Sequence, residues 1–341
     1  MGKIATLITL LFVTAATPAM SQTEFVRECR QRSFHKSVPA GNYSGITRLH
    51  ENTYAVVSDK SETDGFFVFN INIDSISGEI TSVENLGFKG GDKRHTDCEG
   101  IALVPSWSTL FISREADNQI AEYTTEGRTT GRTLTLPDVF LKEMRPNSGI
   151  EAFTYDEPTS TFWAINECTM RIDGEAATPQ NGLPNLLRLI SFGSDLLPDK
   201  MYFYETDAPG TDKQAAVYTM GVSEILVADS NRILVLEREF FVPKAKIGAY
   251  VNCKLYETVP TDSLAHPATE TNPTSKNALP KRLVHSFKTR LNITNRSLAN
   301  YEGMCFGPKL ADGSVTLILV SDSQNRYAGI LKDFFKTIIL R

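Results

Sequence analysis

Five times along this chain a two-part pattern returns, and that repetition limits its possible folds more than any other feature. The first part is a short polar or acidic residue, often beside glycine, that opens an apolar run. The copies are Ser44-Gly45-Ile46, Glu99-Gly100-Ile101, Gly149-Ile150-Glu151-Ala152-Phe153, Ser223-Glu224-Ile225 and Glu302-Gly303-Met304. The second part is an apolar run ending in charge, at 54–59, 110–115, 162–167, 233–239 and 316–322. Helical periodicity is scarce, and runs rich in Val, Ile, Leu, Tyr and Phe are broken by Gly, Asn, Asp and Ser. Such punctuation reads as strands and turns. The early copies stand about fifty residues apart, the size of a four-stranded propeller blade. Further strands are visible at 119–123 and 187–192, and the run at 337–340 reads as the strand that closes the ring. The insertion at 260–280, rich in Thr, Pro, Asn and Ser, reads as an exposed loop. The expectation is an all-β chain folded as a β-propeller. A β-sandwich is the rival, but it gives no reason to repeat one residue signature.

The pattern also concentrates carboxylates. In an antiparallel hairpin, the start of the first strand and the end of the second lie at the same end. Acids occupy both places: Glu99 with Glu115, Glu151 with Glu167, Glu224 with Glu237 or Glu239, and Glu302 with Asp322. Closing the blades into a ring brings them to one mouth of the central channel. Like charges held that closely either take up protons or need a cation. Five histidines, none in the repeat, point away from an imidazole-bound metal. The oxygen donors suit calcium, and the expected metal set is Glu99, Glu115, Glu151, Glu167, Glu224, Glu239, Glu302 and Asp322. Each of these acids could instead cap backbone amides or pair with Arg114 or Arg238 across blades.

Composition restricts the setting. Lys3, the apolar run 4–16 and Ala19-Met20-Ser21 before Gln22 read as a secretory leader over 1–21, leaving a single propeller domain over 22–341. No later run is long and apolar enough to span a bilayer as a helix. The expected location is therefore outside the cell or in the periplasm. A net charge of −5 with no basic block gives no electrostatic case for nucleic acid. Cysteines stand at 29, 98, 168, 253 and 305 without a C-x-x-C, so one or two disulfides could form and at least one thiol stays unpaired. A monomer is expected.

Asp97-Cys98-Glu99-Gly100-Ile101-Ala102 followed by the run at 110–115 resembles the phytase-like family known as "esterase-like activity of phytase". The copies around Glu151 with Glu167 and Glu302 with Asp322 agree, and the resemblance extends from about residue 40 to the end. It implies six blades, as in calcium-dependent propeller phytases, although five are legible in the residues. It also implies hydrolysis of a small-molecule phosphate monoester or diester, with Glu99, Glu151 and Glu302 as catalytic carboxylates. Basic side chains near the mouth would grip the phosphate, the candidates being Lys60, Arg94, Arg114 and Arg238. Two copies depart from the pattern: the first has Ser44 where Glu is expected, and the fourth has Glu224 without a following glycine. Lactone or carboxylic ester hydrolysis is a variant of the same reading. The alternative from another class is a non-catalytic, calcium-stabilised propeller that binds a protein or glycan. No G-x-S-x-G elbow, P-loop or dinucleotide fingerprint is present.

Overall fold

The computed structural model describes residues 22–341 except 95, 230, 293, 295, 324–325 and 327–330, with the side chains of 92–94 also left out. The leader at 1–21 lies outside the described residues. Apolar β-branched and aromatic runs pair locally with their sequence neighbours, giving five antiparallel sheets among the described residues. Blade 1 consists of Tyr43–His50, Thr53–Ser58, Thr63–Ile73 and Ile80–Arg94. Blade 2 consists of Cys98–Val104, Thr109–Arg114, Gln119–Thr124 and Thr129–Thr133. Blade 3 is Ile150–Asp156, Thr161–Asn166, Leu186–Phe192 and Pro198–Glu205, and blade 4 is Val217–Val227, Ile233–Val242, Ala249–Thr258 and Lys281–Leu291. Blade 5 is Asn300–Lys309, Val315–Asp322 and Phe334–Leu340, completed from the other end of the chain by Phe25–Glu28.

The chain is thus an all-β propeller. Innermost strands meet in the cyclic order of the blades, with blade 5 returning to blade 1. Each neighbouring pair buries its own apolar layer. Tyr54, Val56 and Phe69 of blade 1 meet Ile318, Val320 and Phe335 of blade 5 in one of them. Trp163, Leu189 and Tyr204 of blade 3 meet Ile225 and Val235 of blade 4 in another. No sheet among the described residues corresponds to the sixth blade that the resemblance implied. The run at 337–340 is the third strand of blade 5, and the outer edge is sealed by Phe25–Glu28 pairing antiparallel with it. Covering that edge removes a row of open backbone donors and acceptors.

The segment 260–280 is mostly exposed and is anchored at a few points. His266–Pro267 extends blade 3 as a fifth strand, and Ala268 and Leu279 are buried. Arg188, fully buried, donates to the carbonyls of Glu270 and Thr271 while pairing with Asp173. All five cysteines are free thiols, so neither of the envisaged disulfides forms.

Candidate functional site

One local device recurs at the inner hairpin of every blade: an extra residue, a β-bulge, in the innermost strand. It interrupts the register between Tyr43 and Ile46, Cys98 and Ile101, Ile150 and Ala152, Val222 and Glu224, and Tyr301 and Gly303. Bulges re-aim a side chain. The residues at the interruption are Ser44, Glu99, Glu151, Ser223 and Glu302, so three blades aim a glutamate from this position. The following residue must let the next blade come close. A Cβ on Gly45 would lie 2.4 Å from the Glu99 carbonyl oxygen, and one on Gly100 would lie 2.8 Å from that of Glu151. This close approach accounts for the Glu-Gly pairing in the sequence.

The register also aligns the ends of the second strands. Ser58, Arg114, Asn166, Glu237 and Ser321 pair with the residue just before the bulge. The next residues are Asp59, Glu115, Glu167, Arg238 and Asp322, four acids and one arginine at one level of the ring. Their backbones are anchored alike: Asp59 N donates to Asn42 O, Glu115 N to Asp97 O, and Glu167 N to Gly149 O. Two stacked tiers of acids therefore face one mouth.

The charges act on one another across blades. Burial raises the Glu99 carboxyl well above its usual range, and the charges of Glu151, Glu302, Asp59 and Asp97 push the same way. Burial likewise raises Glu151, with Glu167 adding to it and Arg238 opposing it. Glu302 is raised by burial and by Asp322, and Glu115 is raised chiefly by burial. Arg238, only 5% exposed in its side chain, lies within this cluster. Its Nη2 donates to Glu167 Oε1 at 2.7 Å, and its Nη1 donates to Glu302 and, at 3.2 Å, to Asn300 Oδ1. Burial works against the guanidinium charge, but Glu302, Glu167 and Glu151 outweigh it and hold the proton on.

On the opposite side, carboxylate oxygens of Asp59, Asp97 and Glu99 lie within 4.8 Å of one another. Two oxygens each about 2.4 Å from one calcium ion are separated by no more than that. Asp59 Oδ1 is buried and accepts no hydrogen bond among the described residues. The donor set, three hard oxygens with an orphaned acceptor, fits a calcium ion. Lys60 stands at the rim with its side chain half exposed, 2.9 Å from Asp59 and 3.5 Å from Asp97.

The expected site residues therefore divide. Glu99, Glu115, Glu151, Glu167, Glu302 and Asp322 are brought together at the mouth, and Lys60 and Arg238 join them. Glu224 is not. The bulge in blade 4 falls at Ser223, so Glu224 takes the register of the glycine in its neighbours and points into the channel below. There it accepts from the backbone amides of Ile225, at 3.0 Å, and Phe153, at 3.4 Å. Burial raises its carboxyl strongly. Glu239 is also separate, accepting from Gly210 N at 2.9 Å and from the hydroxyls of Tyr218 and Tyr250 at 3.3 Å. Glu237 is held by Tyr204 and Lys281 between blades 3 and 4. Arg114 turns away from the mouth, its guanidinium bonded to Asp117, Gln119 and Tyr123. The Arg94 side chain, with those of Lys93 and His95, lies outside the described residues. Asp59 and Asp97 were missing from the expected ligands. The signal for Asp59 was present, since it ends the second strand of the first copy; Asp97 lies two residues before Glu99, in the stretch that carries the resemblance but outside the repeated pattern.

A family model described as "Phytase-like: Esterase-like activity of phytase" matches residues 38–324. No curated protein matches the sequence. Among solved structures, a luciferin-regenerating enzyme is similar at 12% identity, covering 91% of this chain and 94% of that one, with a TM-score of 0.44. A streptogramin B lyase is similar at 13% identity over 92% and 98% of the two chains, with a TM-score of 0.37. A Trichoderma reesei protein of carbohydrate-active enzyme family AA12 shares 10% identity over 93% and 99%, with a TM-score of 0.39. At these scores the likenesses bear on no functional assignment.

Proposed function

The chain belongs to the phytase-like family, and on that premise we propose that it hydrolyses phosphate esters at the acidic mouth of the propeller with the help of calcium. One observation carries the reading: carboxylate oxygens of Asp59, Asp97 and Glu99 converge within 4.8 Å of one another. Asp59, Asp97 and Glu99 would hold the ion. Bound there, calcium supplies charge neutralisation at the phosphate and a more acidic water. Lys60 is an accessible cation at the rim and grips the phosphate oxygens. Arg238 is committed to Glu167 and Glu302, so it orients those acids rather than the substrate. Glu151, buried beside Glu99, takes the proton from the attacking water. The new P–O bond forms from that water, the ester P–O bond breaks, and the proton held by Glu151 passes to the leaving alkoxide to give the alcohol.

The test is phosphate release from a panel of monoesters and diesters by the purified chain. Turnover should vanish with chelator, return with calcium, and fall by about 10- to 100-fold in kcat/KM for Asp97→Asn and Glu99→Gln. Turnover that survives chelation and both substitutions would remove the proposal, as would inertness toward every ester in the panel.

A further inference from the structure

Blade 4 stands taller than blade 3 on the side of the mouth. Residues 217–222 precede the bulge in its innermost strand, whereas Ile150 alone does so in blade 3. Directly paired residues share a face of a sheet, and every second residue returns to it. The face that packs on blade 3 through Val222 therefore continues upward as two further rows: Glu239, Asn252 and Lys288, then Phe241, Tyr250 and Arg290. The connection from blade 3 is pinned over these rows, where Gly210 N donates to Glu239 Oε1 at 2.9 Å. A cavity of about 580 Å³ lies there, lined by Lys213 of the connection and by Lys288, Arg290, Tyr250, Phe241 and Leu291 of the sheet. That volume is in the range of small-molecule sites. Arg238 and Glu239 are consecutive on one strand and point to opposite faces, so this cavity is separate from the acidic mouth.

The charge of the cavity is the reverse of the mouth's. Among the described residues Lys213, Lys288 and Arg290 make no ion pair, and Asp212 is the one acid lining the space. Ile293 and Asn295, which follow Asn292 outside the described residues, bring no charge. Glu239 is occupied by Gly210 N and the hydroxyls of Tyr218 and Tyr250. Lys288 Nζ stands 4.0 Å from the centre of the Tyr250 ring, which stacks on Phe241 at 5.2 Å, so an aromatic face steadies it in place of a carboxylate. Partial burial lowers the Lys288 ammonium below its ordinary range; Glu239 opposes this, while Arg290 and Lys254 add to it. Cations crowded in this way are relieved by a bound anion. We propose that the cavity is a second binding site, taking an organic oxyanion whose charged group lies against Lys213, Lys288 and Arg290 and whose carbon skeleton lies on Phe241, Tyr250 and Leu291. Inorganic phosphate alone would meet the cations and leave that apolar surface bare. The inference is independent of the calcium reading, and either can fail without the other.

Calorimetric titration of the metal-stripped full chain with phenylphosphonate tests it, since that anion carries no ester bond and the mouth without calcium repels it. The wild type should bind phenylphosphonate at least about tenfold more tightly than inorganic phosphate or phenol, which each lack one half of the match. Lys288→Gln and Arg290→Gln should each weaken binding by about tenfold. Lys288→Arg, which keeps the charge, should stay within about threefold. Lys309→Gln removes the same charge from an exposed position on blade 5 and should change binding by less than about twofold. Absence of phenylphosphonate binding by the wild type would overturn the proposal. So would equal binding of phenol or inorganic phosphate, or a loss in Lys309→Gln as large as that in Lys288→Gln. Circular dichroism confirms that each variant is folded; if Lys288→Gln is not, Arg290→Gln set against Lys309→Gln decides.

Discussion

Blades 2 and 4 share one hairpin design, yet they furnish opposite charges to the same mouth. Blade 2 places Glu99 on its bulge and Glu115 at the end of its second strand. Blade 4 places Ser223 and Arg238 at those two positions. Its glutamate, Glu224, comes one residue late and is delivered to the channel, where backbone amides hold it. The difference teaches that the bulge, and not the presence of an acid near a strand start, decides what faces the mouth. A one-residue step along a strand moves a side chain to the other face.

The comparison is broken most severely by taking away blade 4's charge. Arg238→Met should cost about 3–5 kcal/mol in calcium-free buffer, because Glu167 and Glu302 are then left buried without a cation. Chemical denaturation with the metal removed measures this, and a loss below about 1 kcal/mol would mean the guanidinium does not offset those acids. A smaller break tests the close approach of the Glu167 backbone to the residue across the ladder from Arg238. Gly221→Ala should destabilise by about 1–3 kcal/mol, since its Cβ would collide with the rigid Glu167 carbonyl. Gly149→Ala, at the matching place in blade 3, should cost clearly less. Its nearest neighbours are the side chains of Asn118 and Glu115, at 3.1 and 3.3 Å, which can move. Equal losses would show that the clash with the Glu167 carbonyl is not what makes glycine necessary at 221.

Titration sharpens the same contrast. Folded-state values of Glu99, Glu151 and Glu302 lie above the ordinary 4.5, so the metal-free protein takes up protons as it folds. Their contribution to stability is complete below that value and is lost as pH rises toward the folded-state values. Metal-stripped protein should therefore melt at progressively lower temperature as pH is raised above 4.5, and saturating calcium should flatten that fall by displacing the protons. A metal-free Tm that rises over this window would contradict the assignment. The mildest expectation concerns Glu224. Glu224→Gln keeps an acceptor for the backbone amides, so stability should change by less than about 1 kcal/mol and calcium affinity by less than about twofold. A large fall in calcium affinity would place Glu224 back among the ligands.

Much of this is legible in the sequence alone. The repeat gave the blades, and alternation of apolar runs with turn residues gave their strands, because both follow from local pairing. The pairing of Glu99 with Glu115 and Glu151 with Glu167 across a hairpin followed from antiparallel geometry alone. What failed to show was register. Glu224 and Glu99 look alike as letters before an isoleucine or a glycine, and only the bulge separates them. Arg238 was legible as a charge at a strand end, but its place on the ring depends on Glu239 and Glu237 both turning outward. Asp97 enters through the third dimension, by the approach of the blade 1 and blade 2 turns. Closure by Phe25–Glu28 was equally hidden, since it joins residues more than three hundred positions apart.

The central claim is that the mouth holds calcium at Asp59, Asp97 and Glu99. Crystals of the metal-stripped protein soaked in calcium, measured for anomalous scattering, put that to the test directly. The account predicts a peak bridging Asp59, Asp97 and Glu99. A mouth without a peak, or a peak seated only beside Arg238, would contradict it.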